Sequence, residues 1–267
     1  MKVRAIAWNT FVGLLRNKII ILFVAGFVGV LLLMLTNLLM LKNMRTLQNS
    51  EQMQASVLPL IGAMMGMVSG FGSLLAAWSA ADSVAGEMRS GTILAVMARP
   101  VRRWEFLLGK YLGVQLLMVL YILAMLGLSD LLAWIGGASI QSAPWLLIIY
   151  PLVRYAVFSA IAVLLVTVMH QVVAFAIVLV MSIVAQIVAP SAQTPKFLAE
   201  WVRKALFTVL PSTDLLSEGR FLTVTRATLR QGLWTDHLTA LAYGLDYALI
   251  CFLLGAWIFR KRSLSRD

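Results

Sequence analysis

Six long runs of apolar residues dominate the sequence, and the polar residues gather between them. The runs are continuously apolar rather than alternating, which is typical of membrane helices and not of the strands of a membrane barrel. Each run is close to the roughly 20 residues that a helix needs to cross a bilayer core about 30 Å thick. The predicted spans are Ile19–Leu41, Val57–Ala81, Phe106–Leu128, Trp145–Val168, Val172–Val188 and Thr239–Phe259. The pattern predicts an all-α fold: one integral membrane bundle of six transmembrane helices that occupies residues 1–267.

Two further segments have a helical pattern outside these runs. Residues 1–18 place Val3, Ala7 and Phe11 on one side of a helix, which predicts an amphipathic helix in the plane of the membrane. A simple anchor beside the first span, with no mechanical role, explains the same pattern. Residues 190–237 are expected to form a loop with short helices on the outer face.

The composition supports a membrane location and changes the interpretation of the charge. Hydrophobic residues make up 61% of the chain and charged residues 12%, against about half and about a quarter in an average soluble domain. The net charge is +11, but Lys and Arg stand at the ends of the apolar runs and form no patch interleaved with aromatic residues. Anionic lipid headgroups, and not nucleic acid, are therefore the expected counter-charge. The distribution of Lys and Arg also predicts that both termini are cytoplasmic, although the outer loop carries basic residues that oppose this orientation.

Two constellations inside the spans are candidates for packing and charge pairing. Gly62, Gly66 and Gly70 recur at intervals of four, which predicts a helix face that another helix approaches closely. The partner is a span of the same chain, which we favour, or a span of a second copy. Arg154 and Asp246 lie at similar depths, and we expect them to form an ion pair inside the bundle. In the alternative, Arg154 extends to the headgroups and Asp246 faces water.

The sequence contains no pattern of an enzyme or of a metal site. It has no phosphate-binding loop of the G-x-x-x-x-G-K-[ST] type, so ATP is not expected to bind to this chain. His170 and His237 are far apart in sequence, and the single cysteine, Cys251, lies within an apolar run. We expect no catalytic residue, no metal and no cofactor on this chain.

The segment 82–105, between the second and third spans, differs from a simple connection. Gly91 and Thr92 can break the chain and cap a new helix, and Pro100 can end that helix. Ile93, Leu94 and Met97 give the short helix an apolar edge among charged residues, which is typical of a protein contact. The alternative is a basic loop that only sets the topology.

The residues of this segment resemble the signature of type-2 ABC transporter permeases. The matching positions are Glu87, Ser90, Gly91, Thr92, Arg99, Pro100, Val101, Arg103, Gly109 and Lys110. The resemblance implies that the short helix is a cytoplasmic coupling helix bound by an ABC ATPase subunit, which carries ATP and magnesium. It also implies that residues 1–18 form an elbow helix and that a second, identical permease subunit completes the transporter. Export across a bacterial inner membrane is the function that the resemblance implies.

Two other functions remain open from the sequence. Asp130 and Asp246, together with Pro151, are compatible with an ion-coupled secondary transporter, in which buried acids and broken helices are expected. A membrane assembly subunit that transports nothing is the other alternative.

Overall fold

A computed structural model describes residues 2–44, 50–90, 102–135, 144–188, 210–212, 215–216 and 233–261. Within these ranges the chain forms seven α-helices and no strand. They are α1 (Lys2–Leu15), α2 (Lys18–Met44), α3 (Ser50–Ser90), α4 (Arg103–Ile135), α5 (Pro144–Val166), α6 (Gln171–Val188) and α7 (Leu233–Lys261). The predicted all-α class is confirmed, and each of the six apolar runs coincides with one of the helices α2 to α7.

Fewer membrane spans can be identified among the described residues than the six predicted from the sequence. Among the described residues, three segments are long and apolar enough to cross a membrane: Arg103–Leu128, Ile148–Val166 and Thr235–Lys261. A fourth arises if α1 and the first part of α2 count as one span bent by 60°, and α6 contributes a shorter apolar helix. The fold is thus an apolar helical bundle with three or four clear spans, and the count of six stays a prediction.

Helix α5 lies at the centre of the bundle. It packs against α3, α4, α6 and α7, and its contacts with α3 and α7 are among the most extensive in the fold. Tyr155 and Phe158 are fully buried, and so are small residues of α5 such as Ala160. The hydroxyl groups of Tyr155 and of Tyr121 on α4 both donate to the carbonyl oxygen of Val68 on α3, over 3.4 and 3.1 Å. Three helices therefore meet at one carbonyl group in the middle of the core.

Helix α1 packs on α4 over two glycines that are one turn apart. A Cβ atom on Gly109 would lie 2.7 Å from the Ile6 side chain, and one on Gly113 would lie 2.7 Å from the carbonyl oxygen of Ala7. Only glycine allows this approach. Ala7 and Leu14 of α1 are buried, whereas Trp8 is 61% exposed. The structure has a helix over Lys2–Leu15 with a buried and an exposed side, and its role as an amphipathic helix in the plane of the membrane stays a prediction.

Two residues of the predicted glycine face of α3 have no close neighbour among the described residues. A Cβ atom on Gly66 or Gly70 would meet nothing within 4 Å there, so the described part of the chain forms no close contact at these two positions. The glycine of α3 that does allow close packing is Gly72, where a Cβ atom would overlap the ring of Tyr155. Gly62 belongs to the part of α3 whose side-chain environment lies outside the described residues. A contact of this face with a second copy stays a prediction.

Arg154 and Asp246 do not form the predicted ion pair in this structure. Arg154 is buried, with its guanidinium group 5.9 Å from the centre of the Phe158 ring, whereas Asp246 is exposed on α7. Gly244 of α7 faces α5, because a Cβ atom there would overlap Val153. A helix turns by about 100° per residue, so Asp246, two positions later, points about 200° away from α5. The two residues have similar depths, but their directions exclude the pair.

Candidate functional site: the polar base

The predicted coupling helix lies outside the described residues, and the structure describes the helices on both sides of it. The residues that fall outside are Gly91, Thr92, Ile93, Leu94, Met97, Arg99 and Pro100. Helix α3 ends at Ser90 and helix α4 begins at Arg103, so segment 91–101 starts and ends at these two helices. Around them lies a cluster of polar side chains that we name the polar base. It consists of Asn17, Asp82, Glu87, Arg89, Arg103, Lys110 and Gln171.

Gln171, the first residue of α6, joins two charged residues near the end of α3. Its side chain is almost completely buried. The Nε2 group donates to Oδ1 of Asp82 over 2.9 Å, and Oε1 accepts from Nη2 of Arg89 over 2.7 Å. The same Arg89 nitrogen lies 3.5 Å from the Asp82 carboxylate. An amide has a donor and an acceptor at opposite corners, so it fits between a carboxylate and a guanidinium group, which a hydrocarbon side chain cannot do.

Asn17 connects the break between α1 and α2 to the same carboxylate. Its Oδ1 accepts from the backbone N–H of Ile19 over 3.0 Å and thereby caps the start of α2. Its Nδ2 donates to Oδ2 of Asp82 over 2.8 Å. Asp82 therefore accepts hydrogen bonds from two elements that are distant in sequence, one on each carboxylate oxygen.

Helix α4 begins with a cap and with a link to the end of α7. The backbone N–H of Arg102 donates to Oε2 of Glu105 over 2.8 Å, which is half of a capping box. The Nη1 group of Arg103 donates to the carbonyl oxygens of Phe259 and Arg260, over 3.3 and 3.1 Å. Carbonyl groups at the end of a helix have no partner within the helix, and a guanidinium group satisfies them favourably. The start of α4 is thus fixed to the end of α7.

A buried ion pair joins the two helices that flank segment 91–101. Nζ of Lys110 on α4 contacts Oε1 of Glu87 on α3, and the lysine is almost fully buried. Nζ also lies 5.6 Å from the centre of the Phe106 ring, which stacks on Phe259 at 6.2 Å. Removing one charge of a buried pair leaves the other without compensation, so this contact fastens α3 to α4 close to the segment.

The polar base therefore links segment 91–101 mechanically to most of the bundle. Side chains of α3 make hydrogen bonds to the break between α1 and α2 and to the start of α6. Through α4 the polar base reaches the end of α7. The arrangement has no nucleophile paired with a base, and no group of three or more His, Cys, Asp or Glu residues capable of holding a metal ion occurs in the part of the chain that the structure describes.

The sequence analysis found part of this site. Glu87 and Arg103 belong to the residues that resemble the permease signature, and in the structure both contact groups of this chain. Asn17, Asp82 and Gln171 were not singled out. A signal was available, because each is a polar residue at the boundary of an apolar run.

The comparison with protein families agrees with this architecture. The family model described as ABC-2 family transporter protein matches residues 4–264, which is nearly the whole chain. No individual curated protein matches the sequence. The extent of the family match and the apolar helical fold together show that the chain belongs to the ABC-2 family of transporter proteins and is the membrane-embedded permease of an ABC transporter.

Proposed function

We propose that this permease is driven by a separate ATPase subunit that binds segment 91–101, and that it exports its substrate. The observation that supports this proposal is the polar base. It fixes both ends of the segment to the rest of the bundle by directional, partly charged contacts. A segment that only connected two spans would not need such contacts.

The proposed transmission of movement follows from how the contacts are arranged. A force on segment 91–101 acts on the ends of α3 and α4, which the Glu87–Lys110 ion pair holds together. From α3 it passes through Asp82 to α2 and α6, and from α4 it passes through Arg103 to α7. Closure of the ATPase subunits on ATP and magnesium would then displace several helices together.

The orientation of the proposed transporter follows from the charges near the polar base. Basic residues at the ends of several helices gather at this end of the bundle: Arg16, Lys18, Arg89, Arg102, Arg103, Lys110, Arg260 and Lys261. Positive residues near span ends favour the cytoplasmic side. The polar base and both termini are accordingly placed in the cytoplasm, α1 acts as an elbow helix at the inner surface, and the membrane is the bacterial inner membrane.

A second, identical permease subunit completes the proposed transporter. The open space beside Gly66 and Gly70 leaves room on α3 for the close approach of a helix from that subunit. ATP and magnesium are bound by the ATPase subunits, and this chain contributes no cofactor of its own.

The experiment that tests the proposal changes the apolar edge of segment 91–101. Leu94→Asp would place a charge against the ATPase surface, and a loss of about 3 kcal/mol would weaken binding on the order of a hundredfold. By helical spacing Ala95 lies on the opposite side from Ile93, Leu94 and Met97, so Ala95→Asp is the matched control. Co-purification of the ATPase from membranes is measured for both variants. Loss of the ATPase with Leu94→Asp alone is expected, and retention of the ATPase by Leu94→Asp would overturn the proposal.

A further inference from the structure

One face of α7 has no neighbour among the residues that the structure describes, and this face carries a carboxylate. Asp246 is exposed on it, between Leu249, Ile250 and Leu253, which are 55%, 57% and 56% exposed. Leu245 beside it is equally exposed. The opposite side of α7 packs on α5 through Gly244. The exposed face is otherwise apolar, as expected for a surface that meets lipid or another membrane helix.

Asp246 lies near the middle of the membrane-spanning part of α7. It is the single charged residue in the sequence between His237 and Arg260. Helices α5 and α7 run side by side, with Tyr150 contacting His237 near one end and Leu164 lying against Gly255 near the other. Asp246 is nine residues from His237 and nine from Gly255, which is about 13 Å along the helix in each direction. The 18 residues between those two contacts span about 27 Å, close to the thickness of a bilayer core.

A carboxylate in this position requires a partner. A charged side chain that faces lipid at mid-depth is costly, and such residues normally face a protein partner or water. The side chain of aspartate is too short to reach the headgroups across about 13 Å. Arg154, at a similar depth, is buried on α5 and turned away from this face. Within the described ranges no hydrogen bond or ion pair is made by Asp246.

We propose that the Asp246 face of α7 binds a transmembrane helix of a different membrane subunit, and that this helix carries a Lys or Arg residue at the depth of Asp246. The charge identifies the type of partner, because a Lys or Arg side chain offers an ionised carboxylate the strongest hydrogen bonds and an opposite charge. Ala242 and Thr239 lie on the same exposed side, one and two turns from Asp246 toward the start of α7. Residues of this size let a second helix come close enough for the charges to meet.

A second copy of this chain fits the face poorly. Symmetric packing of α7 on α7 would bring two Asp246 carboxylates together, which is unfavourable. An asymmetric contact would need an exposed cation at mid-depth, and Arg154, the basic residue at this depth in the described part of the chain, is buried. The partner is therefore a different chain. This inference is independent of the contact between segment 91–101 and the ATPase.

A synthetic transmembrane peptide provides the first test. The full-length protein carrying Ala242→Cys and Cys251→Ala is reconstituted with a Leu/Ala peptide that has one central Arg and one Cys, and disulfide cross-linking is measured. We expect about tenfold more product than with a peptide that has Leu in place of Arg, as a difference of about 1.4 kcal/mol in association implies. Asp246→Asn should abolish the preference. Leu22→Cys, on the exposed face of α2, is the matched control and should show no preference.

The same face is then examined in native membranes. A photo-reactive residue at position 249 should cross-link to a membrane protein whose transmembrane helix contains Lys or Arg, and Asp246→Arg should lose this product. Replacing that Lys or Arg by Asp should restore the product with Asp246→Arg. The proposal is overturned by equal cross-linking of the Arg and Leu peptides, by an unchanged preference in Asp246→Asn, or by a product that contains two copies of this chain. It is also overturned if Asp246→Cys reacts with a membrane-impermeant thiol reagent in the assembled complex, because the face would then meet water.

Discussion

The polar base and the centre of the bundle around α5 are held together in different ways. At the polar base, the helix ends are connected by hydrogen bonds and ion pairs between residues far apart in sequence, such as Asp82 with Gln171. Around α5, aromatic and small side chains fill the space, as Phe158 and Ala160 do. A close-packed interior resists deformation, whereas a network of polar contacts fixes the geometry of the elements that it joins.

This difference separates stability from the transmission of movement. Substitutions around α5 should reduce stability first, because packing holds membrane helices together where no hydrophobic driving force exists between them. Substitutions in the polar base should reduce the response to the ATPase first, while most of the packing remains. The predictions below test this separation, beginning with the largest expected effect.

The largest expected loss of stability comes from the centre of α5. Phe158→Ala would leave a cavity in the core around α5, and the loss for such a change is about 3–5 kcal/mol in soluble proteins. For this membrane protein we expect the lower end of that range, about 3 kcal/mol. The lost packing contacts cost the same as in a soluble protein, whereas moving the side chain out of the core costs less when lipid replaces water. Thermal unfolding in detergent measures the effect. Leu123→Ala, at a side chain that is 51% exposed on α4, is the control and should change little.

The contact between α1 and α4 should be the next most sensitive. Gly113→Leu would force side-chain atoms into the backbone of α1 at Ala7, at a cost of about 1–3 kcal/mol or more. Gly127→Leu introduces the same side chain on the same helix where nothing lies within 4 Å, so it should be tolerated. Limited proteolysis near the N-terminus distinguishes detachment of α1 from general unfolding. Equal stability of the two variants would contradict the close contact seen at Gly113.

Gln171→Leu sharpens the comparison between the two regions. It removes the two hydrogen bonds that join α6 to Asp82 and Arg89, while those two residues remain 3.5 Å apart. We expect a small loss of stability, about 1–2 kcal/mol, and a large loss of transport per ATP hydrolysed.

The matched control is Gln115→Leu, which removes the contact of 2.7 Å between Nε2 of Gln115 and Oγ of Ser159 in the centre of the bundle. This variant should lower the free energy of unfolding by a similar amount and leave the amount of transport per ATP hydrolysed unchanged. If both glutamine variants lower that ratio equally, the distinction between the two regions is wrong.

The smallest expected effect is that of Asn17→Ala. It removes the cap of α2 and one of the hydrogen bonds to Asp82, and loss of a cap costs about 1 kcal/mol. Asn17→Ser should restore the cap but lacks the amide group that donates to Asp82. Recovery of thermal stability without recovery of the transport per ATP hydrolysed in Asn17→Ser is the expected result, and recovery of both is the contrary one, which would assign Asn17 to capping alone.

The sequence predicted the helices well, because a run of apolar residues has few other stable conformations in a membrane. It predicted the direction of side chains less well. The depth of Asp246 could be counted from the ends of the run, but its direction depends on which side of α7 faces α5, and this is decided by Gly244. A single continuously apolar helix has no pattern that reveals this side.

The spacing of glycines likewise predicts a packing face without predicting which helix packs on it. Gly62, Gly66 and Gly70 have the spacing of a packing face, and so do Gly109 and Gly113. In the described part of the chain, Gly109 and Gly113 meet another helix, whereas Gly66 and Gly70 do not. The spacing identifies a face that can pack, and the partner depends on the tertiary arrangement. The polar base was partly predictable, since its residues stand at the boundaries of apolar runs, but the links of Gln171 to α3 and of Arg103 to α7 join residues 82 or more positions apart.

The most direct measurement of the central claim is photo-cross-linking from position 94 in the assembled transporter. A photo-reactive residue is introduced at Leu94, and at Leu123 as a control on the exposed side of α4. If segment 91–101 binds the ATPase, the residue at position 94 should give a cross-linked product that contains the ATPase subunit, and the residue at position 123 should give none. Absence of that product from position 94, in a complex that still contains the ATPase and hydrolyses ATP, would contradict the account.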